Sequence, residues 1–392
     1  MAVGIDYLAE RFAGQFGAQP ASAWFSPGRV NLIGEYTDFN GGFVLPVAID
    51  LGTYFAVGSN AEPKLTVYSE AFDTRISIAL SGIAGQTVDG SWADYVKGSL
   101  VEVTARSASP TQGLDIYVAG DLPRNAGLSS SASFTVGILF LLNELWELGL
   151  ESIDIVLAAK SVENNFIGLQ CGVMDQYVVA NGKVNNAVCL HCQSLESTLV
   201  PFEIHGYEIV VMDSRVPRKL SESLYNQRQE ECATALELLQ QDADIDYLCA
   251  ACEQDLVGCA ALSAEPVLFR RARHVVTEND RVQRSATALR AGDLHEFGRL
   301  MFASHQSLRD DFEVSCKELD VLVEAAANRP GVLGSRMTGA GFGGCTVSIV
   351  EAPAVAGFID KVSSSYSKST PYEARALRCQ TGDGVKRLHQ WN

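Results

Sequence analysis

The sequence predicts a mixed α+β fold in two domains with a seam near residue 200, and three observations predict it. The chain has 392 residues, enough for two packed domains at roughly 100–200 residues each. Its first half interleaves short runs rich in β-branched and aromatic residues with helical patterns. After residue 213 the pattern is largely helical until a last pair of strand-like runs closes the chain. The expected division is 1–200 and 201–392.

Taken in order, strands are expected at 43–58, 64–69 and 114–120, where Val, Ile, Tyr and Thr dominate. From Ser129 to Leu148 the apolar spacing turns helical, and 161–166 predicts a further helix before a glycine-containing loop at 168–175. Strand-like sequence follows at 186–202 and 207–213. Helices are expected at 221–241, 281–308 and 314–327, and the closing strands at 345–351 and 372–377. DYLCAACEQDLVGCAALS (246–263) reads as one amphipathic helix, so Cys249 and Cys252 are expected to be structural thiols rather than half of a zinc site. No repeat of 20–50 residues occurs and no low-complexity linker separates the halves.

Composition narrows the function. With 47% hydrophobic and 20% charged residues, the chain is neither disordered, collagenous nor coiled-coil. Its formal charge of −17, with no basic block, argues against nucleic acid or an anionic membrane as partner. The first 20 residues lack a secretory pattern, and the apolar run 134–142 falls short of the ~20 residues of a membrane span. Ten scattered cysteines suit reduced thiols, so a cytoplasmic protein is expected. An anionic ligand would need a local device that overrides the overall field.

DLPRNAGLSSSAS (121–133) supplies one, because it follows a strand and opens a helix. A helix start offers unpaired N–H groups and the positive end of the dipole, and three successive serines exceed what a single N-cap requires. This is a phosphate cradle. No Walker A pattern occurs, so the cradle is not a P-loop. MTGAGFGGCTV (337–347) contains G-x-G-x-x-G at Gly339, Gly341 and Gly344, but a strand follows it where a dinucleotide fingerprint needs a helix. Four glycines there still let backbone approach a ligand closely. SPGRVNLIGEYTD (26–38) gathers Arg29, Glu35 and Asp38 among glycines, and carboxylates so placed can accept pairs of sugar hydroxyls.

Together these three segments resemble the GHMP sugar kinases, and among them the galactokinase family. The likeness extends to WADYVKG (92–98), NNFIGLQCGVMDQY (164–177), YNQRQEEC (225–232) and SHQSLRDDFEVSCKELD (304–320), and so covers nearly the whole chain. It implies a two-domain GHMP kinase fold with the active site in the inter-domain cleft, and ATP-dependent phosphorylation of α-D-galactose at O1. Asp175 would be the base, with Arg29 orienting it and stabilising the departing charge. Ser131 and Glu163 would hold Mg²⁺. The loop Asn125, Ala126, Gly127, Leu128, Ser129, Ser130 and Ser131 would bind the ATP phosphates, with Ser69 and Trp92 on the nucleotide side. Glu35, Tyr36, Thr37, Asp38, Gly172 and Tyr225 would line the sugar. Phosphoryl transfer asks mainly for positioning and for positive charge on the transferring group, which this set provides.

Five positions depart from the family pattern. Tyr36 stands where histidine is usual, Phe39 where tyrosine is, Arg218 where histidine is, and HCQSL (191–195) replaces D-C-R-S-L. The reaction residues are all present, so the departures bear on which sugar is used. A GHMP kinase for L-arabinose, N-acetylgalactosamine or galacturonate is the first alternative, although Glu35 opposes a uronate carboxylate. A galactose sensor without catalysis is the second, opposed by the intact Ser131–Ala132 step. Oligomeric state is left open.

Overall fold

A computed structural model describes residues 3–106, 112–123, 127–217 and 221–391. Asn125, Ala126 and Arg218 lie outside the described residues. The first elements are α1 (Ile5–Phe16), β1 (Ser22–Asn31), β2 (Phe43–Val44), β3 (Pro46–Asn60), β4 (Lys64–Ser69), β5 (Thr74–Ala79), α2 (Ala93–Arg106) and β6 (Gly113–Gly120). There follow α3 (Ser130–Leu145), α4 (Ser152–Ser161), α5 (Met174–Asn181), β7 (Asn186–His191), β8 (Ser197–Pro201) and β9 (Tyr207–Asp213). The later part holds α6 (Ser221–Leu239), α7 (Glu253–Gly258), α8 (Ala260–Ser263), α9 (Pro266–Arg290), α10 (Leu294–Asp310) and α11 (Lys317–Ala327). The hairpin β10 (Val332–Thr338) and β11 (Cys345–Glu351), then α12 (Val355–Ser369), β12 (Arg375–Cys379) and β13 (Lys386–Gln390), complete the chain.

A six-stranded sheet runs β13-β1-β3-β6-β4-β5, with β4 and β6 parallel and the other pairs antiparallel. Period-two alternation gives it two buried faces. Trp24, Phe55 and Val57 pack under α2 and α3, while Ala23, Ala56 and Tyr117 meet Leu8 and Phe12 of α1. A second sheet, β10-β11-β9-β12, is antiparallel. Val210 and Met212 face α11 and α12, whereas Ile209 and Val211 join a core that reaches Val30, Val47 and α10. That shared core joins the two sheets. β13 returns from the chain end to pair with β1.

Several expected elements differ in extent, for local reasons. The helix expected over 281–308 is two helices: Gly292 at φ 71° ends α9, and Asp293 restarts the chain by accepting the Glu296 amide at 2.9 Å. The single helix expected over 246–263 is broken into a short turn, α7 and α8. Cys252 is extended there, and its amide donates to Asp255 at 2.7 Å, which begins a new helix. The strand expected at 43–58 divides at Leu45, whose amide turns to Ile33 O at 3.1 Å. The turn at 161–166 is a π-helical extension of α4, Val162–Ile167. No cysteine among the described residues takes part in a disulfide. Among the described residues no helix is long and apolar enough to cross a membrane.

Candidate active site

The site is built where β1 leaves its sheet. The β1–β3 register slips between Pro27 and Arg29, and Gly28 has no room for a side chain, since a Cβ there would lie 2.9 Å from Leu128 O. The serine loop therefore lies directly on the strand. The Arg29 amide donates to Leu128 O at 3.2 Å, and the Leu128 side chain is in the core. Ser133 pins α3 from the other side by donating to Ser26 O at 2.8 Å.

Arg29 is 4% exposed and faces the first turn of α5. Its Nε donates to Asp175 Oδ1 at 2.7 Å and its Nη2 to Oδ2 at 2.8 Å, while Nη1 donates to Gly127 O at 2.6 Å. One guanidinium thus ties the carboxylate to the serine loop. The Ser129 hydroxyl donates to the same Oδ2.

A cleft of about 690 Å³ opens beside this pair. Ser129, Ser130 and Ser131 line it together with Arg29 and Asp175, and so do Ser69 and Trp92. Trp92 stacks on Phe72 with ring centres 6.0 Å apart and planes 10° apart, forming an aromatic shelf in the same cleft. The loop Gly339–Ala340 borders its other side, Gly339 resting on Gly127.

Two further carboxyl groups, Glu163 and Asp38, lie close to Asp175. Glu163 is 6% exposed, and burial, then the charge of Asp175, push it up to about 7. Side-chain hydrogen bonds from Gln176, Cys171 and Ser131 pull in the opposite sense. Asp38 is pushed up to about 6 by burial first and Asp175 next. Gly172 is obligatory beside it, because a Cβ at that position would fall 1.8 Å from Asp38 Oδ2. The cluster is short of positive charge, so a cation brought in with a ligand would relieve it.

Glu35 is more enclosed than a polyol ligand needs to be. At 2% exposure it accepts from Gly339 N at 2.6 Å, from Arg336 Nη1 at 3.3 Å and from Asn31 Nδ2. Glu278 on α9 fixes the same loop by accepting the Gly34 amide at 2.9 Å. Thr37 is fully buried, its hydroxyl shared between Gly34 O and Phe43 O. Tyr36, at φ 69°, sends its hydroxyl to Ala340 O at 2.5 Å and packs its ring against Phe312, Tyr225 and Phe39. The Tyr36 hydroxyl thus holds the glycine-rich loop, while the resemblance has the residue lining the sugar. Tyr225 on α6 completes that aromatic group, and burial with nearby Asp38 raises its phenol well above the ordinary value.

Two residues escaped the sequence reading. Arg336, 0% exposed, sits in the GSRMTG segment, and an arginine inside an otherwise apolar strand was a usable signal. Gln176, next to Asp175, donates to Glu163 Oε1 at 3.3 Å, and nothing in its neighbours' spacing marks it.

Comparison with known proteins accords with this arrangement. Residues 10–59 match the galactokinase galactose-binding signature, 94–183 the GHMP kinases N terminal domain, and 285–368 the GHMP kinases C terminal. The chain is 42% identical to a galactokinase of Lacticaseibacillus casei over 97% of its own length and 99% of that protein's. It is 41% identical to one of Clostridium acetobutylicum over 98% and 99%. Among solved structures, Lactococcus lactis galactokinase complexed with galactose superposes with a TM-score of 0.94, at 37% identity, over 98% of this chain and 100% of that one. Methanococcus jannaschii mevalonate kinase, at 17% identity and a TM-score of 0.69, shares the fold.

Proposed function

The chain belongs to the galactokinase family of GHMP kinases, and from that premise we propose that it transfers the γ-phosphoryl group of ATP to O1 of α-D-galactose. The single observation that carries the reading is the two-point Arg29–Asp175 pair set against the serine loop at the mouth of the cleft. Asp175 accepts the proton of the anomeric hydroxyl. O1 then bonds to the γ-phosphorus while the bond from that phosphorus to the bridging oxygen breaks, releasing ADP. Arg29 holds both carboxylate oxygens and leaves its own charge beside the transferring group.

The nucleotide phosphates lie on the start of α3, whose first-turn amides point into the cleft, and the base stacks toward Trp92 with Ser69 nearby. Asp38, Gly172 and Tyr225 bound the sugar, with Glu35 behind them. Ser131 and Glu163 fit a Mg²⁺ ion: one buried carboxylate, a hydroxyl within hydrogen-bonding reach of it, and phosphate oxygens from the nucleotide are the donor set that ion favours. When bound, the ion would offset the negative charge of the nucleotide phosphates. Catalysis is assigned to a two-domain arrangement divided near residue 200, with β13 returned to the first sheet, and to the cytoplasm. The test is Asp175→Asn: its kcat should fall by roughly 10²–10⁴ with nucleotide affinity retained. Near-full turnover would move the base elsewhere.

A further inference from the structure

Ser129 belongs by sequence with its neighbours on the phosphates, yet its hydroxyl has another partner. It caps α3 from the left-handed region, φ 59° and ψ 46°, and makes no side-chain bond to the helix amides. A capping serine ordinarily sits in extended backbone and accepts one of those amides. The left-handed turn instead swings the side chain off the helix, and its Oγ donates to Asp175 Oδ2. Ser129 is 7% exposed, whereas Ser130 and Ser131 are half-buried on the cleft wall. A hydroxyl carries one hydrogen, so while it donates to Asp175 it cannot donate to a phosphate oxygen.

We propose that Ser129 is a positioning residue for Asp175 rather than a phosphate ligand. With Arg29 it closes a three-point clamp on the carboxylate, Nε on Oδ1 and Nη2 plus Oγ on Oδ2. Because Arg29 also holds Gly127 O, the clamp makes the serine loop and the base one unit. A loop displaced by a poorly seated nucleotide would carry Oγ away from Asp175. The orientation of the base thereby depends on the seating of the phosphates. The other charged groups facing Asp175 are Glu163 and Asp38. The inference rests on reading Asp175 as the base.

Ser129→Gly tests it without straining the backbone, since glycine adopts positive φ freely. The expected result is a kcat lower by roughly tenfold, the size of a lost hydrogen bond to a charged group, with the KM for ATP within about twofold of wild type. Ser129→Ala, which adds left-handed strain, should lose kcat by a similar factor. On an Asp175→Asn background, Ser129→Gly should cause no further loss. Wild-type kcat in Ser129→Gly, or a raised KM for ATP with kcat intact, overturns the proposal, as does a full additional loss on the Asp175→Asn background. If Asp175→Asn alone keeps full turnover, the reading of the base has failed, and the positioning role of Ser129 falls with it.

Discussion

The Arg29 guanidinium meets the Asp175 carboxylate in two parallel hydrogen bonds, 2.7 and 2.8 Å, across 146 positions of sequence. The third arm of the same group reaches Gly127 O. A planar fork is needed for all three contacts at once, and lysine offers a single ammonium. We predict that Arg29→Lys lowers kcat by about 10² or more while galactose still binds, measured by steady-state kinetics. Turnover within a few-fold of wild type would remove Arg29 from the reaction.

Ser131 lies in the first turn of α3 and Glu163 in the π-helical turn after α4, yet the Ser131 hydroxyl is near enough to Glu163 to favour its charged form. If they share one Mg²⁺, Ser131→Ala and Glu163→Gln each raise the Mg²⁺ concentration needed for half-maximal rate. Titration of Mn²⁺ with nucleotide, followed by its paramagnetic signal, should show the same weakening. The double variant should lose less than the summed single effects. Strict additivity would place the two residues on separate ligands.

Glu163 is pushed up to about 7 and Asp38 to about 6, so the folded protein holds protons there that the unfolded chain has released. Their contribution to stability is neutral below about pH 4 and becomes a growing penalty as pH rises through 6 and 7. His274, held near 4, and Glu278, held near 2 by Arg281 and its other partners against burial, act in the opposite sense at lower pH. The informative quantity is therefore the difference between variant and wild type. Glu163→Gln should raise the melting temperature of the ligand-free protein by several degrees at pH 8 and little at pH 5. An equal shift at both pH values would contradict a buried, protonatable Glu163.

Tyr36 bonds to Ala340 O and packs on Phe312 at 4.5 Å, so removing its hydroxyl should weaken the glycine-rich loop before it affects the sugar. Tyr36→Phe is expected to cost about 1 kcal/mol of stability and to leave the KM for galactose within about twofold. Thermal unfolding and kinetics on the same sample decide the matter. A large change in galactose KM with unchanged melting would place the hydroxyl on the sugar instead.

Much of this site was legible because its residues cluster in short segments with chemistry on their surface. The serine run, the glycine-rich loop and the Arg29–Asp38 stretch each announce a ligand. What pairs with what was not legible, since Arg29–Asp175 and Glu35–Arg336 are contacts between distant segments. Secondary structure was read well where one period ran unbroken, as in β4 and β9. It was misread at Gly292 and Cys252, where one residue restarts a helix inside apolar spacing that continues across the break. Strand β1 was missed because its Ser, Pro, Gly, Arg and Asn hide a segment buried at all ten positions.

The central claim is tested most directly by incubating the protein with ATP, Mg²⁺ and each of a panel of free sugars, following ADP release together with the ³¹P spectrum of the product. The account predicts that galactose gives the highest kcat/KM, with one anomeric phosphate monoester formed per ADP. A different sugar used far better than galactose, phosphate on a hydroxyl other than O1, or no sugar-dependent ADP release would contradict it.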